Sequence, residues 1–406
     1  MAVCTGCSLL CDDIEVTLDH GKIAKTKNLC RKGHARFKSI DIERSAPSID
    51  GRPADVNAAT KKAVELLSGS KRPLILGLTC STARAQSAAL SLAKATGATI
   101  DDGSSICEGM LIERVIGGRH PTCTLDDVRN YADMSVFWGF DPSSSHPRHM
   151  SRFSYYPRGE KRQKGYEEDR TALCVDVRKS PTAKISGDGY LRVPPTGDES
   201  LIGAISDALD GKVPKVQDKK RIIAIASSLR KAEFGAVFPG VGLIAAGQSG
   251  LAVFDALLDR LNAVSKYKLI SSCSGSNTRG LSKLLFDEKG SASRASFAAN
   301  PESNGQGING SIQNADLAVV VGGDPIACLP LGIASRLSKI PIVVIDAHRT
   351  LTSMFASVCL PCALSGLESG GEALRMDGVQ IKFESTVKSS SLSEEDVLKS
   401  IQEGLI

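Results

Sequence analysis

Short apolar runs rich in β-branched residues recur along the chain: PLILGLT (Pro73 to Thr79), MSVFWG (Met134 to Gly139), ALCVDV (Ala172 to Val177), GAVFPG (Gly235 to Gly240), LAVVVGGDP (Leu317 to Pro325) and PIVVID (Pro341 to Asp346). Their length and turn-rich flanks predict buried strands. Between several of them lie stretches with helical spacing, TARAQSAALSLAKATG and GLAVFDALLDRLNAV among them. Strand alternating with helix predicts parallel sheets covered by helices on both faces, an α/β fold. Near the end, SLSEEDVLKSIQEGLI predicts a short helix with a capped start at Ser393.

At 406 residues the chain exceeds what one hydrophobic core usually serves, which predicts two or three domains. There is no low-complexity block and no obvious internal repeat. A net charge of +5 with only 4% aromatic residues argues against a dedicated nucleic-acid binder. The N-terminus MAVCTGC has neither a basic n-region nor an apolar h-region, and no apolar run approaches the roughly 18 residues that span a bilayer. The expected setting is therefore cytoplasmic, without membrane contact, where twelve cysteines stay reduced and free to bind metal.

Four of those cysteines fall in the first thirty residues: Cys4, Cys7, Cys11 and Cys30. C-x2-C-x3-C closed by a fourth thiol a hairpin later lets one tight loop wrap three corners of a cube while a returning strand supplies the last. Soft thiolates so grouped suit a 4Fe-4S cluster. Four thiolates also bind zinc, but zinc ribbons favour two separated C-x2-C knuckles over this three-plus-one grouping.

In doubly wound sheets ligands gather outside the carboxyl ends of the strands. Here VFWG runs into FDPSSSHPRHMSRFSYYPRG, CVDV into RKSPTAK, VVVGG into DPIA and VVID into AHRT. Glycine admits a close backbone approach, Asp accepts from ribose or amino donors, and Arg or Lys meets phosphate. Together they point to a large, polyanionic, nucleotide-like cofactor, against ordinary turn chemistry for any one of them alone. The basic run from Arg148 to Arg170 fits a mixture of cofactor clamp and solvated or partner-facing surface. Cys107 stands apart in the small-residue turn DDGSSICEGM, where a lone thiol is more often inert. Cys359 and Cys362 lie in apolar VCLPCAL and are expected to be buried and unreactive. Cys80, Cys123, Cys174, Cys273 and Cys328 look like core thiols.

Taken together, the cluster segment ending in CRKG, the SICEG turn, PTCTLDDVRNYADMSVFWGFDPSSSHPRHMSRFSYYPRG, EDRTALCVDVRKSPTAK and SVCLPCALSGLESGGEALRMDGV resemble the molybdopterin or tungstopterin oxidoreductases. Within them they resemble the B subunit of formylmethanofuran dehydrogenase, over nearly the whole chain. The resemblance implies a multi-domain fold with a small N-terminal iron-sulfur domain and two Rossmann-like α/β lobes, lacking the C-terminal β-barrel of larger relatives. The implied layout is a cluster domain at 1–50 rejoined by about 355–385, one pterin-binding lobe from 51–109 and 216–354, an inserted lobe at 110–215, and a tail at 386–406.

The same resemblance implies that Cys4, Cys7, Cys11 and Cys30 ligate the cluster and that Lys32 lies between cluster and pterin. Cys107 matches the thiolate that ligates tungsten or molybdenum beside two molybdopterin guanine dinucleotides. Gly139, Asp141, Pro142, His146, Arg148 and His149 at one strand end, Asp176, Arg178 and Lys179 at the next, Gly240 and Gly242 at a third, and Gly323, Asp324 and Pro325 at a fourth would line the dinucleotides. The family usually has histidine after the metal-binding cysteine; here Glu108 stands there, as a candidate catalytic group. The implied reaction is reduction of carbon dioxide to formate with electrons from ferredoxin, reaching this chain directly or through iron-sulfur subunits. The formate then passes to an amidohydrolase partner, the family's A-type component, for condensation with methanofuran in methanogenesis. A C-type component and a pterin-capping D-type component are further implied partners. None of the six histidines shows the spacing of a zinc hydrolase, so that second reaction belongs elsewhere. Two readings remain beside this one: a formate dehydrogenase-like pterin enzyme, and a non-catalytic scaffold of a formyltransferase/hydrolase complex, for which Glu108 speaks and against which the intact cysteines speak.

Overall fold

The structure, a computed structural model, describes residues 1–166, 168–299 and 307–406. It opens with a hairpin, β1 (Glu15–Asp19) and β2 (Lys22–Lys27), followed by a short pair, β3 (Ser48–Ile49) and β4 (Arg52–Pro53), then β5 (Pro73–Gly77) and β6 (Thr99–Asp101). Next come β7 (Met134–Trp138), β8 (Thr171–Asp176), β9 (Tyr190–Arg192), β10 (Gly235–Pro239) and β11 (Tyr267–Leu269). The chain ends through β12 (Arg294–Ser296), β13 (Leu317–Val321), β14 (Ile342–Asp346), β15 (Val358–Pro361), β16 (Gly371–Leu374) and β17 (Gln380–Phe383). All six apolar runs form strands, as their pattern demands.

Two compact units result: Met1–Met110 with Ser274–Ile406, and the inserted Leu111–Cys273. The first is built on an eight-stranded sheet of order β12-β6-β5-β13-β14-β15-β3-β4. Its five central strands run parallel, while β12 at one edge and β3 next to the other run against them and β4 turns back antiparallel to β3, so the sheet is mixed where an all-parallel one was expected. One face buries Leu74, Leu76, Val320, Ile342 and Val344 against Ile308, Ile312 and Leu337. The inserted unit carries a fully parallel sheet of order β11-β10-β7-β8-β9.

Residues 216–273, expected in the other lobe, belong to this inserted unit, because β10 hydrogen-bonds β7 along its whole length. A strand's partner is absent from its local pattern, so hydropathy alone could not place the return. Residues 1–50 and 355–385 form no unit of their own; β3 and β15 pair within the first unit's sheet. The expected tail is no tail either. Its helix Glu394–Glu403, capped by Ser393 as read, buries Val397, Leu398 and Ile401 and packs on the helix Ala83–Thr96.

A repeat that the sequence hides emerges from the topology. The orders β6-β5-β13-β14-β15 and β11-β10-β7-β8-β9 are one parallel arrangement with the chain permuted. Each has at its centre a strand running into Asp-Pro, β13 into Gly-Asp-Pro and β7 into Phe-Asp-Pro.

Candidate functional site

The N-terminal loop closes on itself: the Cys4 amide donates to the Cys11 carbonyl at 2.8 Å and the Leu10 amide to the Cys7 carbonyl at 3.2 Å. Cys30 caps the helix Arg31–Lys38, its sulfur accepting from the Gly33 amide at 3.4 Å. A side chain at Gly33 would be crowded, since a Cβ would lie 2.8 Å from the Leu29 Cδ2 and 3.2 Å from the Cys4 sulfur. Cys4 and Cys30 thus meet on either side of Gly33. The hairpin β16–β17 roofs the loop. Leu10 packs on Ala373 and Phe383, the Met376 amide donates to the Ser8 carbonyl, and the Thr5 hydroxyl and Arg36 guanidinium both donate to the Ser365 carbonyl.

Burial pushes the Cys4 thiol up to about 11 and the Cys7 thiol to about 12, with neighbouring thiols adding to both shifts. Half-buried Lys32 works the other way on Cys7, favouring its thiolate. Among the described residues no three Cys, His, Asp or Glu are close enough to share one metal ion. In a 4Fe-4S cluster each thiolate binds its own iron, so the sulfurs stand wider apart than ligands around a single zinc. Cys4, Cys7 and Cys11 are buried and Cys30 half-buried, gathered about one loop as a soft donor set of the kind that suits such a cluster.

The Cys107 loop follows β6. Gly103 turns the chain with φ of 79°, Ser104–Ile106 form a 3₁₀ turn, and the Cys107 amide closes it on the Ser104 carbonyl at 2.9 Å. Burial drives the half-buried Cys107 thiol far above its usual range, and the Glu108 and Asp102 carboxylates push it further. Burial also raises Asp102 to about 8, although Ser104 donates to it through both amide and hydroxyl. With its proton held this firmly, the Cys107 thiol is neutral unless a cation beside it stabilises the thiolate. Glu108 is 3% exposed, and its Oε1 accepts from the Ser274 amide at 2.8 Å.

The strand ends repeat one device. After β7, Asp141 accepts from the Thr182 hydroxyl at 2.6 Å, from the Ser144 hydroxyl at 2.6 Å and from Arg178 at 3.3 Å. After β13, Asp324 accepts from the Thr352 hydroxyl at 2.6 Å, from its amide at 2.8 Å and from the Leu351 amide at 3.0 Å. Each Asp clamps its own loop to the loop of the next strand, and sequence reading missed both threonines. The neighbouring strands match as well: Asp176, the last residue of β8, accepts from the Arg178 amide, and Asp346, the last of β14, from the His348 amide.

The residues expected to line a cofactor lie in different settings. His146 is 2% exposed and bonds the Cys273 carbonyl and the Ser145 hydroxyl. His149 is fully buried among Phe137, Phe140 and Phe238, and that burial drops it to about 3, so it is neutral core. Standing three residues apart on one turn, both histidines face inward. Pro142 is buried at the start of Pro142–Ser145. Gly139, Gly240 and Gly242 approach one another: a Cβ on Gly139 would lie 2.7 Å from the Gly242 Cα, and one on Gly240 2.6 Å from the Gly139 carbonyl oxygen. Arg178 and Lys179 stay exposed, Asp176, Arg148, Gly323, Asp324 and Pro325 half-buried. Of the basic run, Arg170 is spent on the fold, donating to the Val128, Ala132 and Pro157 carbonyls. Cys359 and Cys362 are buried as expected, whereas Cys328, read as a core thiol, is exposed.

No protein-family model matches the sequence. It is 32% identical over 98% of its length, and 96% of theirs, to two proteins named as the B subunit of tungsten-containing formylmethanofuran dehydrogenase 2, from Methanococcus maripaludis and Methanocaldococcus jannaschii. Its fold matches a chain in the crystal structure of the formyltransferase/hydrolase complex FhcABCD from Methylorubrum extorquens with methylofuran. That match has a TM-score of 0.70 at 21% identity and covers 89% of this chain and 98% of the other. With 32% identity to those two relatives over almost all of its length, the chain belongs to the family of formylmethanofuran dehydrogenase B subunits.

Proposed function

We propose that this chain is the redox subunit of a formylmethanofuran dehydrogenase, reducing carbon dioxide to formate with electrons that enter through a 4Fe-4S cluster on Cys4, Cys7, Cys11 and Cys30. The observation that carries this reading is the pair of thiol sites in one unit, four gathered thiols under a hairpin roof and a single Cys107 in an anionic turn. When bound, tungsten or molybdenum with two molybdopterin guanine dinucleotides supplies the two-electron chemistry, joining two electrons and one proton to carbon dioxide. Cys107 would hold the metal. Exposed Arg178 and Lys179 would meet phosphate, while the clamped Asp141 and Asp324 keep their loops in place. Lys32 beside Cys7 favours charge passing to and from the cluster.

Partner subunits fit what the surface leaves open. Leu331, Met354 and Phe355, in and after the loops that Asp324 clamps, are 85%, 65% and 49% exposed, apolar area that a pterin-capping partner would cover. Formate leaving this site would be condensed with methanofuran by an amidohydrolase partner, and electrons would come from ferredoxin or an iron-sulfur protein of the complex. The scaffold reading draws on Glu108, which is tied to Ser274 at the position where the resemblance implies histidine.

Metal analysis decides between the two. In the anaerobically purified native complex we expect one tungsten or molybdenum per chain together with cluster iron, and loss of the former alone in Cys107→Ala. Iron without tungsten or molybdenum in the wild type would overturn the catalytic reading and leave a scaffold.

A further inference from the structure

Between the two thiol sites of the first unit runs a polar chain, buried at Glu108 and Asn277 and open to solvent at Ser274, that the mechanism above does not use. Glu108 lies against the Cys107 thiol and accepts from the Ser274 amide at 2.8 Å. Three residues on, Asn277 is wholly buried, yet its polar atoms are all engaged. Its Oδ1 accepts from the Leu374 amide at 2.8 Å, its Nδ2 donates to the Ser81 carbonyl at 2.8 Å, and its own amide donates to the Thr79 carbonyl at 2.8 Å. Two residues beyond Leu374, the Met376 amide donates to the Ser8 carbonyl at 3.0 Å, between Cys7 and Cys11. Room for the side chain is kept by Gly280, where a Cβ would fall 2.2 Å from the Asn277 Oδ1.

A buried amide costs folding energy unless every donor and acceptor is met, and when all are met it fixes one geometry. We propose that Asn277 is a positioning residue that holds the Cys7–Cys11 loop and the Cys107 loop in one register, keeping the electron-entry site and the metal site at a constant separation. The electron-transfer role rests on the function proposed above; the mechanical coupling does not.

Hydrogen exchange on the full chain without added metal tests the coupling. Asn277→Leu, of similar size and without polar atoms, should speed exchange about tenfold in both residues 5–10 and residues 104–110. Glu108→Ala should do the same, whereas Glu108→Gln, which keeps an oxygen for the Ser274 amide, should restore wild-type protection. Asp316→Ala, which removes a hydrogen-bonded carboxylate at the amino edge of the same sheet, should spare both segments. Loosening of one segment alone in Asn277→Leu, or Glu108→Gln behaving like Glu108→Ala, would overturn the proposal. If Asn277→Leu fails to fold, the Glu108 pair decides. In the native complex the electron paramagnetic resonance signal of the reduced cluster should change in Asn277→Leu, a readout that a loss of stability far from the cluster would leave unmoved. Tungsten or molybdenum absent with exchange coupled refutes the catalytic reading only; metal present with exchange uncoupled refutes this one only.

Discussion

Glu394 opens the final helix, yet its carboxyl is turned into the first unit, where Ser365 donates to it at 3.2 Å. Burial raises it to about 7, and Asp346 adds to the shift while Ser365, Ser81 and Arg36 oppose it. A carboxyl whose folded pKa is raised holds its proton more tightly when folded. Its contribution is therefore complete below the unfolded value of 4.5 and is lost as pH climbs to about 7. The window is worth at most roughly 3 kcal/mol. Thermal unfolding should show wild type losing stability between pH 4.5 and 7 relative to Glu394→Gln, with the variant the more stable of the two at about pH 8; parallel curves would refute it. Residue chemistry of this kind was only half legible beforehand. The four N-terminal thiols stand out by type and spacing, whereas Cys107 is a lone thiol that only the resemblance singled out; the burial of His146 and His149 was not legible, because an Arg-rich sequence neighbourhood does not say which way a turn faces.

At the level of elements, the strand-end loops owe their shape to two Asp-Thr clamps. The Asp-Pro steps were plain in the sequence; their threonine partners were not, since Thr182 and Thr352 come from the loop after the next strand, and only the sheet order brings them near. Thr182→Val keeps shape and strips the hydroxyl that bonds Asp141, leaving a half-buried carboxylate short of a donor. Chemical denaturation should register a loss of about 1–2 kcal/mol for Thr182→Val, and a similar loss for Thr352→Val in its own unit. A neutral result in either would mean that solvent replaces the threonine and that the clamp is incidental.

Over the whole molecule, strand and helix alternation sufficed for the α/β class, while the point of return at Ser274 and the permuted repeat needed the pairing itself. That pairing joins chain segments made far apart in time. β5 lines up against β13, with Pro73 opposite Leu317, and β12, β13, β14 and β15 all follow the inserted unit. Such distant contacts form late and slowly. The thiol loop is affected most: its roof, from Ser365 through Phe383, leaves the ribosome long after Cys4, with 360 residues between Thr5 and Ser365. Ribosome-bound chains halted before Ser365 should therefore react at Cys4, Cys7 and Cys11 with an alkylating reagent that the completed chain resists. Equal protection in halted and finished chains would mean that the loop closes unaided. Any metal destined for these thiols would thus have the interval between the making of Cys30 and the making of Ser365 in which to reach them, before the hairpin closes over the loop.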